Sequence, residues 1–316
     1  MYTPGLVSVV IPTYKRSDTL ERAINSVRNQ TYRDIEIVVV DDNVPGDVYS
    51  QSVKQLIDRL AYDNVTLVTQ PKHINGAAAR NAGIRKSNGE YISFLDDDDL
   101  IFPDKIEKQV AALKEMDKTV GGVSSLKIFF KGQELTHISD TWECTDDQSF
   151  RVMSKQQSIQ TCTVLLRREC LDETGYFDEH LFRHQEVQLM SYFTNKYRII
   201  LLNEVLTIID GSDLSNRPDY EKLKEYKTAY FQAVNPLMEK YSKRQRDFIY
   251  KNHMTELAWV MFRDISKVKG LLMLAKCFLN VKVLISFIKR LNDKKEGRKR
   301  LANYKHKSYV LSLINS

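Results

Sequence analysis

Four short apolar runs, spaced by amphipathic segments, limit the folds open to the first hundred residues. Residues 6–11, 35–40, 65–68 and 91–95 are rich in Val, Ile and Leu. Such runs read as strands buried on both faces. Between them the period changes to that of a helix. Ser17-Asp18 opens one helix, and Leu20, Ile24 and Val27 line one face of it. Residues 53–60 and 77–86 read as two more, the second stopping near Asn88-Gly89. Strand and helix in alternation imply right-handed crossovers and a mainly parallel sheet. Ligands of such sheets gather at the carboxyl ends of the strands.

Polar clusters stand at three of those ends. Pro12-Thr13-Tyr14 closes the first strand, Asp41-Asp42-Asn43 the second and Asp96-Asp97-Asp98-Asp99 the fourth. Four carboxylates at the end of a buried strand repel one another, and partial burial sharpens the repulsion. A hard divalent cation such as Mn²⁺ or Mg²⁺ relieves it and bridges carboxylates to a substrate phosphate. Asp99 and Asp104 also flank a helix start at Pro103, where acids suit the helix dipole. That accounts for one or two acids of the run, not four.

Further along, a helix after Pro103 carries Ile106, Val110 and Leu113 on one face. Residues 120–130 form a strand pattern with a turn at Gly132 before Leu135. Residues 140–157 are polar and irregular and read as a loop over the site. Residues 161–166 read as a strand, 186–193 as a helix, and 198–202 and 205–209 as two short strands. Beyond Arg217-Pro218 the pattern is helical throughout. The expected organisation is an α/β domain over 1–212, divided near 102, and a helical region over 213–316. Gly270 and Asn280 are expected to break the apolar stretch 268–291 into short helices.

The net charge of +6 is unevenly spread. Residues 263–316 hold 14 Lys/Arg against 3 acids, so the body is acidic and the tail basic. The expected partner of this tail is an anionic membrane surface, with lysines set against lipid headgroups. The alternative is a packed helical subdomain with a solvated basic face. Nucleic acid is not expected, because no aromatic side chains interleave with the tail's charges in a recognised motif. The 4 cysteines show no metal-ligand spacing, which points to reduced thiols and a cytoplasmic location. No leader pattern opens the chain, and no apolar run reaches the ~18 residues of a spanning helix.

Several of these motifs, in order, resemble a family 2 glycosyltransferase. They are residues 7–14 (VSVVIPTY), Gln30-Thr31-Tyr32, residues 38–42 (VVVDD), residues 79–84 (ARNAGI), residues 89–99 (GEYISFLDDDD) and residues 175–179 (GYFDE). The resemblance spans roughly 6–210. It implies a GT-A fold, a nucleotide-sugar donor bound largely by 1–102, an acceptor half over 103–212, and inversion at the anomeric carbon. Carried over residue by residue, it implies donor binding by Pro12, Thr13, Tyr14, Asp41, Asp42, Arg80, Asp96 and Asp97. Asp42 would accept from the base. Asp96-x-Asp98 matches the family's DXD signature, with Asp98 and Asp96 toward Mn²⁺ or Mg²⁺ and Asp99 structural. Glu186 stands where many members carry Asp and is the candidate base. Thr161, Thr163 and His184 are the candidates on the acceptor side. The processive members' QxxRW motif is missing, since neither Trp142 nor Trp259 follows an arginine. That implies addition of a single sugar, from a UDP-sugar, to a glycan or lipid-linked glycan of a surface polysaccharide. The alternative is a non-catalytic nucleotide-sugar or membrane-surface binder on the same fold.

Overall fold

A computed structural model describes residues 2–212 and 217–315. Nine strands form one mixed sheet in the order β3-β2-β1-β4-β8-β6-β9-β5, with β7 paired to β6. The strands are β1 (Thr3–Thr13), β2 (Ile35–Asp41), β3 (Val65–Thr69), β4 (Gly89–Phe94), β5 (Leu100–Ile101), β6 (Val120–Lys131), β7 (Glu134–Ile138), β8 (Val164–Arg167) and β9 (Arg198–Asp210). β1 to β4 are parallel to one another, as the strand–helix alternation requires. Thr13, Asp41 and Thr69 pair in one row, so these strands end level. β8 runs antiparallel between β4 and β6, and β9 is parallel to β6. The ends of β6 and β9 therefore lie on the same rim as the ends of β1, β2 and β4.

Helices α1 (Ser17–Arg28), α2 (Val48–Leu60) and α4 (Lys105–Lys114) cover one face. Leu20, Ile24, Val27, Val53 and Ile106 pack there against Val9, Ile37 and Tyr91. α3 (Gly76–Lys86), α6 (Arg168–Thr174) and α7 (Gln185–Thr194) cover the other, over Val10, Val38, Ile92 and Phe94. The approach of α3 is close. A Cβ on Gly83 would lie 2.3 Å from Val10 Cγ1.

Several expectations need correction. Pro12 lies inside β1, whose last residue is Thr13. The irregular stretch 140–157 contains a helix, α5 (Gln148–Met153), capped by the Asp147 carboxylate on the Phe150 amide at 3.1 Å. Residues 161–163 form a 3₁₀ turn, and the strand begins only at Val164. The two short strands are one, β9, whose pairing with β6 shifts register around Leu126. Gly270 does not break a helix. It sits within α10 (Lys267–Phe278), where a Cβ would meet Phe262 Cα at 2.5 Å.

Beyond the sheet come α8 (Tyr220–Met238), α9 (Lys243–Asp264), α10, α11 (Val281–Ala302) and α12 (Lys307–Ile314). The expected boundary at 212/213 falls at residues 213–216, outside those described. The basic tail does not hang free. Leu301, Val310 and Ile314 pack on Ile128, Phe130 and Ile208 of the sheet. The Arg22 guanidinium donates to the Ile314 carbonyl at 2.9 Å. α10, α11 and the link between them nonetheless expose Val268, Leu272, Leu279 and Ile285. No single described helix is long and apolar enough to cross a membrane. The pair α10 and α11, bent by 115°, meets that test only when joined.

Candidate active site

The rim gathers the three polar clusters. The Asp42 amide donates to the Thr13 carbonyl at 3.0 Å, which joins the ends of β1 and β2. The Asp42 side chain is buried and accepts from His73 Nδ1 at 2.9 Å and from the Ile74 amide at 3.3 Å. Burial raises its pKa, with the Ile74 amide and His73 opposing. Tyr14 stacks on His73 with ring centroids 3.9 Å apart, which leaves an exposed aromatic face beside Asp42. Asp41 is engaged differently. Its Oδ1 accepts from the Asn43 amide at 3.0 Å and from Asn43 Nδ2 at 2.7 Å, and its Oδ2 accepts from the Ser50 hydroxyl at 2.6 Å. Both oxygens are used in shaping the loop after β2.

The acid run turns sharply after β4, where the Asp99 amide bonds the Asp96 carbonyl at 3.1 Å. Asp99 is buried and accepts from the Asp210 amide at 2.9 Å, which ties the end of β9 to the run. Its role is structural, though it braces a strand rather than a helix start. Burial drives its pKa well up, and Asp96 and Asp98 add to this. Asp97 is pushed up to about 7 and Asp98 to about 6, in both cases chiefly by burial and further by neighbouring acids. Two arginines counter the charge. Arg16 donates to Asp98 and, at 3.5 Å, to Asp97. Arg80 Nη2 donates to Asp96 at 2.5 Å.

Among the described residues no three or more His, Cys, Asp or Glu side chains form a metal cluster by themselves. Mg²⁺ and Mn²⁺ at phosphate sites need only one or two protein carboxylates, the substrate supplying further oxygens. Burial among neighbouring acids, opposed by Arg16, makes the charged forms of Asp97 and Asp98 costly without a further cation. A hard cation would fit this donor set.

α3 couples this rim to α7. Asn75 caps α3 by accepting from the Ala78 amide at 3.0 Å, and its Nδ2 reaches the Glu179 carbonyl at 2.8 Å. Asn81 donates to the Phe177 carbonyl at 2.9 Å and accepts from the Phe177 amide at 3.1 Å. The GYFDE segment is thus pinned to α3, and α7 follows it. Arg80 spans the gap, with Nη1 3.4 Å from Gln185 Oε1. Burial works against the Arg80 charge, and Asp96 and Glu186 outweigh it. Glu186 lies in the first turn of α7, half-buried, with no hydrogen bond or ion pair to any described residue. Its charge acts on Arg80, and no hydrogen bond from a described residue occupies its oxygens.

The acceptor candidates fare otherwise. Thr161 and Thr163 are buried, and the Thr163 hydroxyl is used on the Gln160 carbonyl at 2.7 Å and Ser124 Oγ at 2.9 Å. Thr163 thus holds the 3₁₀ turn to the sheet, and both threonines are buried. His184 caps α7 with φ of +63°, and its ring turns toward Tyr230 and His253 of the helical region. Burial, with Lys155 and Lys227 nearby, lowers its pKa to about 2. It is a neutral packing residue. Arg16 and His73 carried no sequence signal, since each meets its acid only through the fold.

Residues 8–175 match the family model described as Glycosyl transferase family 2, more than half of the chain. The chain belongs to that family. It is 29% identical over 193 residues to the amylovoran biosynthesis glycosyltransferase AmsB of Erwinia amylovora, covering 58% of this chain and 62% of AmsB. It is 33% identical over 176 residues to an uncharacterized glycosyltransferase of Rickettsia bellii, covering 56% of this chain and 24% of that one. The chain thus spans only part of the length of these relatives. Two solved structures show the same fold. S. aureus TarS 1-349 in complex with UDP-GlcNAc matches with a TM-score of 0.56 at 17% identity, over 94% of this chain and 92% of that one. The mannosyltransferase PcManGT of Pyrobaculum calidifontis, in complex with GDP-Man and Mn²⁺, matches with 0.57 at 19%, over 98% and 84%. The GT-A arrangement of a curled α/β sheet with flanking helices is therefore the fold of this chain.

Proposed function

We propose that this protein is a metal-dependent, inverting glycosyltransferase that moves one sugar from a nucleotide-sugar, UDP-linked, to a glycan acceptor of a surface polysaccharide. The observation that carries this reading is the bracket made by Arg80. It touches Asp96 on the donor side and Gln185 on the other, next to the unpartnered Glu186. The nucleoside would lie along Pro12, Thr13 and Tyr14 with its base toward Asp42. The diphosphate would face Arg16, Arg80 and Asp96–98. A divalent cation held by Asp98 and Asp96 would supply positive charge to the departing diphosphate. Glu186 would take the proton of the acceptor hydroxyl as that oxygen bonds the anomeric carbon. The bond from that carbon to the diphosphate breaks on the opposite side, giving inversion. AmsB, named for amylovoran biosynthesis, supports the polysaccharide setting, and TarS with UDP-GlcNAc supports the UDP donor.

A place on the inner face of the cell membrane, with a lipid-linked acceptor, belongs to the same proposal. It is supported by the exposed apolar side chains of α10 and α11 among lysines such as Lys267, Lys282 and Lys289. The test is a panel of nucleotide-sugars with Mn²⁺, followed for nucleotide release. A UDP-sugar turned over by the wild type and lost in Asp98→Asn supports the reading. Turnover that survives EDTA would sink its metal dependence.

A further inference from the structure

A cavity of about 1670 Å³ opens between β6 and β7, the 140–160 segment, and helices α9 and α11. Strand alternation builds its floor. Ser125, Lys127 and Phe129 line it, while Leu126, Ile128 and Phe130 join a hydrophobic cluster. β6 runs parallel to β4, so Lys127 stands toward the rim that carries the acid run. Burial lowers the Lys127 pKa, and Cys162, Glu186 and Asp99 oppose it. The floor of the cavity is thus within electrostatic reach of both the candidate base and the acid run.

Two independent features say what the cavity takes. The first is charge. Its lining holds eight lysines and arginines against three carboxylates. One of the three, Asp140, is already paired with Arg300 at 3.1 Å. Arg244, Lys282, Lys289 and Lys294 are exposed along the lining, and none is held in an ion pair. The second feature is unmet hydrogen bonding. Gln157 is only 3% exposed, yet both atoms of its amide lack a partner. Arg151 Nε and Gln160 Oε1, also in the lining, are buried and unpartnered. Each such group is costly to leave unpaired.

We propose that this cavity binds the acceptor through a phosphate, with the basic rim and the Arg151 and Gln157 donors on its oxygens. This rests on the glycosyltransferase reading above. A neutral glycan would leave the cations uncompensated, whereas a phosphate forms charge-assisted bonds with them. The volume leaves room for a sugar or lipid segment beside the phosphate, being larger than the ~300–1,000 Å³ typical of small-ligand sites. The phosphate could belong to a prenyl diphosphate or to a phosphodiester polymer, and both present the same oxyanion chemistry.

The test is calorimetric titration of the full chain in EDTA, which removes any metal-borne binding at the acid run. The probes are farnesyl diphosphate, a glycerol-phosphate oligomer and uncharged farnesol. Saturable binding of either phosphate, weakened roughly tenfold or more in Arg244→Gln/Lys282→Gln/Lys289→Gln, supports the proposal. A variant with the same charge loss on the exposed surface outside the cavity, Lys54→Gln/Lys114→Gln/Lys118→Gln, is expected to bind as the wild type does. The tighter of the two phosphates names the acceptor class. Binding of neither, equal weakening in both variants, or farnesol binding as tightly as its diphosphate overturns it. UDP binding in Mn²⁺, measured on the same protein, separates the two readings. If UDP binds and the phosphates do not, only the cavity assignment fails.

Discussion

Asp98→Asn is expected to stabilise the metal-free fold while it removes function. Burial, reinforced by Asp96 and opposed by Arg16, raises the Asp98 pKa from 3.8 to about 6. The folded state therefore holds that proton more tightly than the unfolded chain does. Its contribution to stability is full below the ordinary value and is lost as pH rises through about 6. At ~1.4 kcal/mol per pKa unit, charging Asp98 at neutral pH costs the fold about 3 kcal/mol. The carboxylate keeps 18% of its side-chain surface exposed, and the amide accepts a weaker bond from Arg16. Solvent screening and that loss reduce the expected gain to roughly 1–2 kcal/mol, or about 2–4 °C in Tm. The assay is thermal or urea unfolding of both proteins in EDTA at pH 7.5 and again at pH 5. The variant is expected to be the more stable at pH 7.5, with the difference shrinking at pH 5, where the wild type has taken up its proton. A variant less stable than the wild type at pH 7.5 would show that Arg16 already compensates the acids, and the argument for a cation would lose its electrostatic basis.

Two further outcomes follow from the packing. Gly83→Ala places a Cβ 2.3 Å from Val10 Cγ1, so α3 must move off β1; urea unfolding is expected to show a loss of about 1–3 kcal/mol, with weaker UDP binding because Arg80 moves with the helix. His184, held neutral with a pKa lowered to about 2, contributes no titration near neutrality; His184→Asn, which tolerates the left-handed φ of +63°, is expected to leave the shape of the pH–rate profile unchanged.

The strands of the first hundred residues were legible because burial on both faces demands unbroken apolar runs, as in β1, β2 and β4. The acid run was legible because no packing argument absorbs four carboxylates. Other features depend on contacts far apart in the chain. Arg16 meets Asp97 and Asp98 more than eighty residues away, and one arginine in a loop carries no local mark. β9 looked like two strands because Asn203 and Glu204 interrupt its apolar run, and the sheet absorbs the break as a register shift. Thr161 and Thr163 were expected on the acceptor side from the resemblance alone, which carries no signal of burial. The fold spends the Thr163 hydroxyl on a core hydrogen bond to Ser124. The α5 helix was hidden in a polar stretch because tertiary contacts hold it. Gln148 exchanges bonds of 2.8 and 2.9 Å with the backbone of Ile199.

The central claim is that Glu186 removes the acceptor proton while the rim around Asp98 holds the donor. Steady-state turnover of Glu186→Gln, with UDP affinity in Mn²⁺ measured on the same sample, tests it most directly. The account predicts kcat reduced roughly 10²- to 10⁴-fold with UDP affinity within twofold of the wild type, as expected on losing a general base. A kcat within a few-fold of the wild type would contradict it.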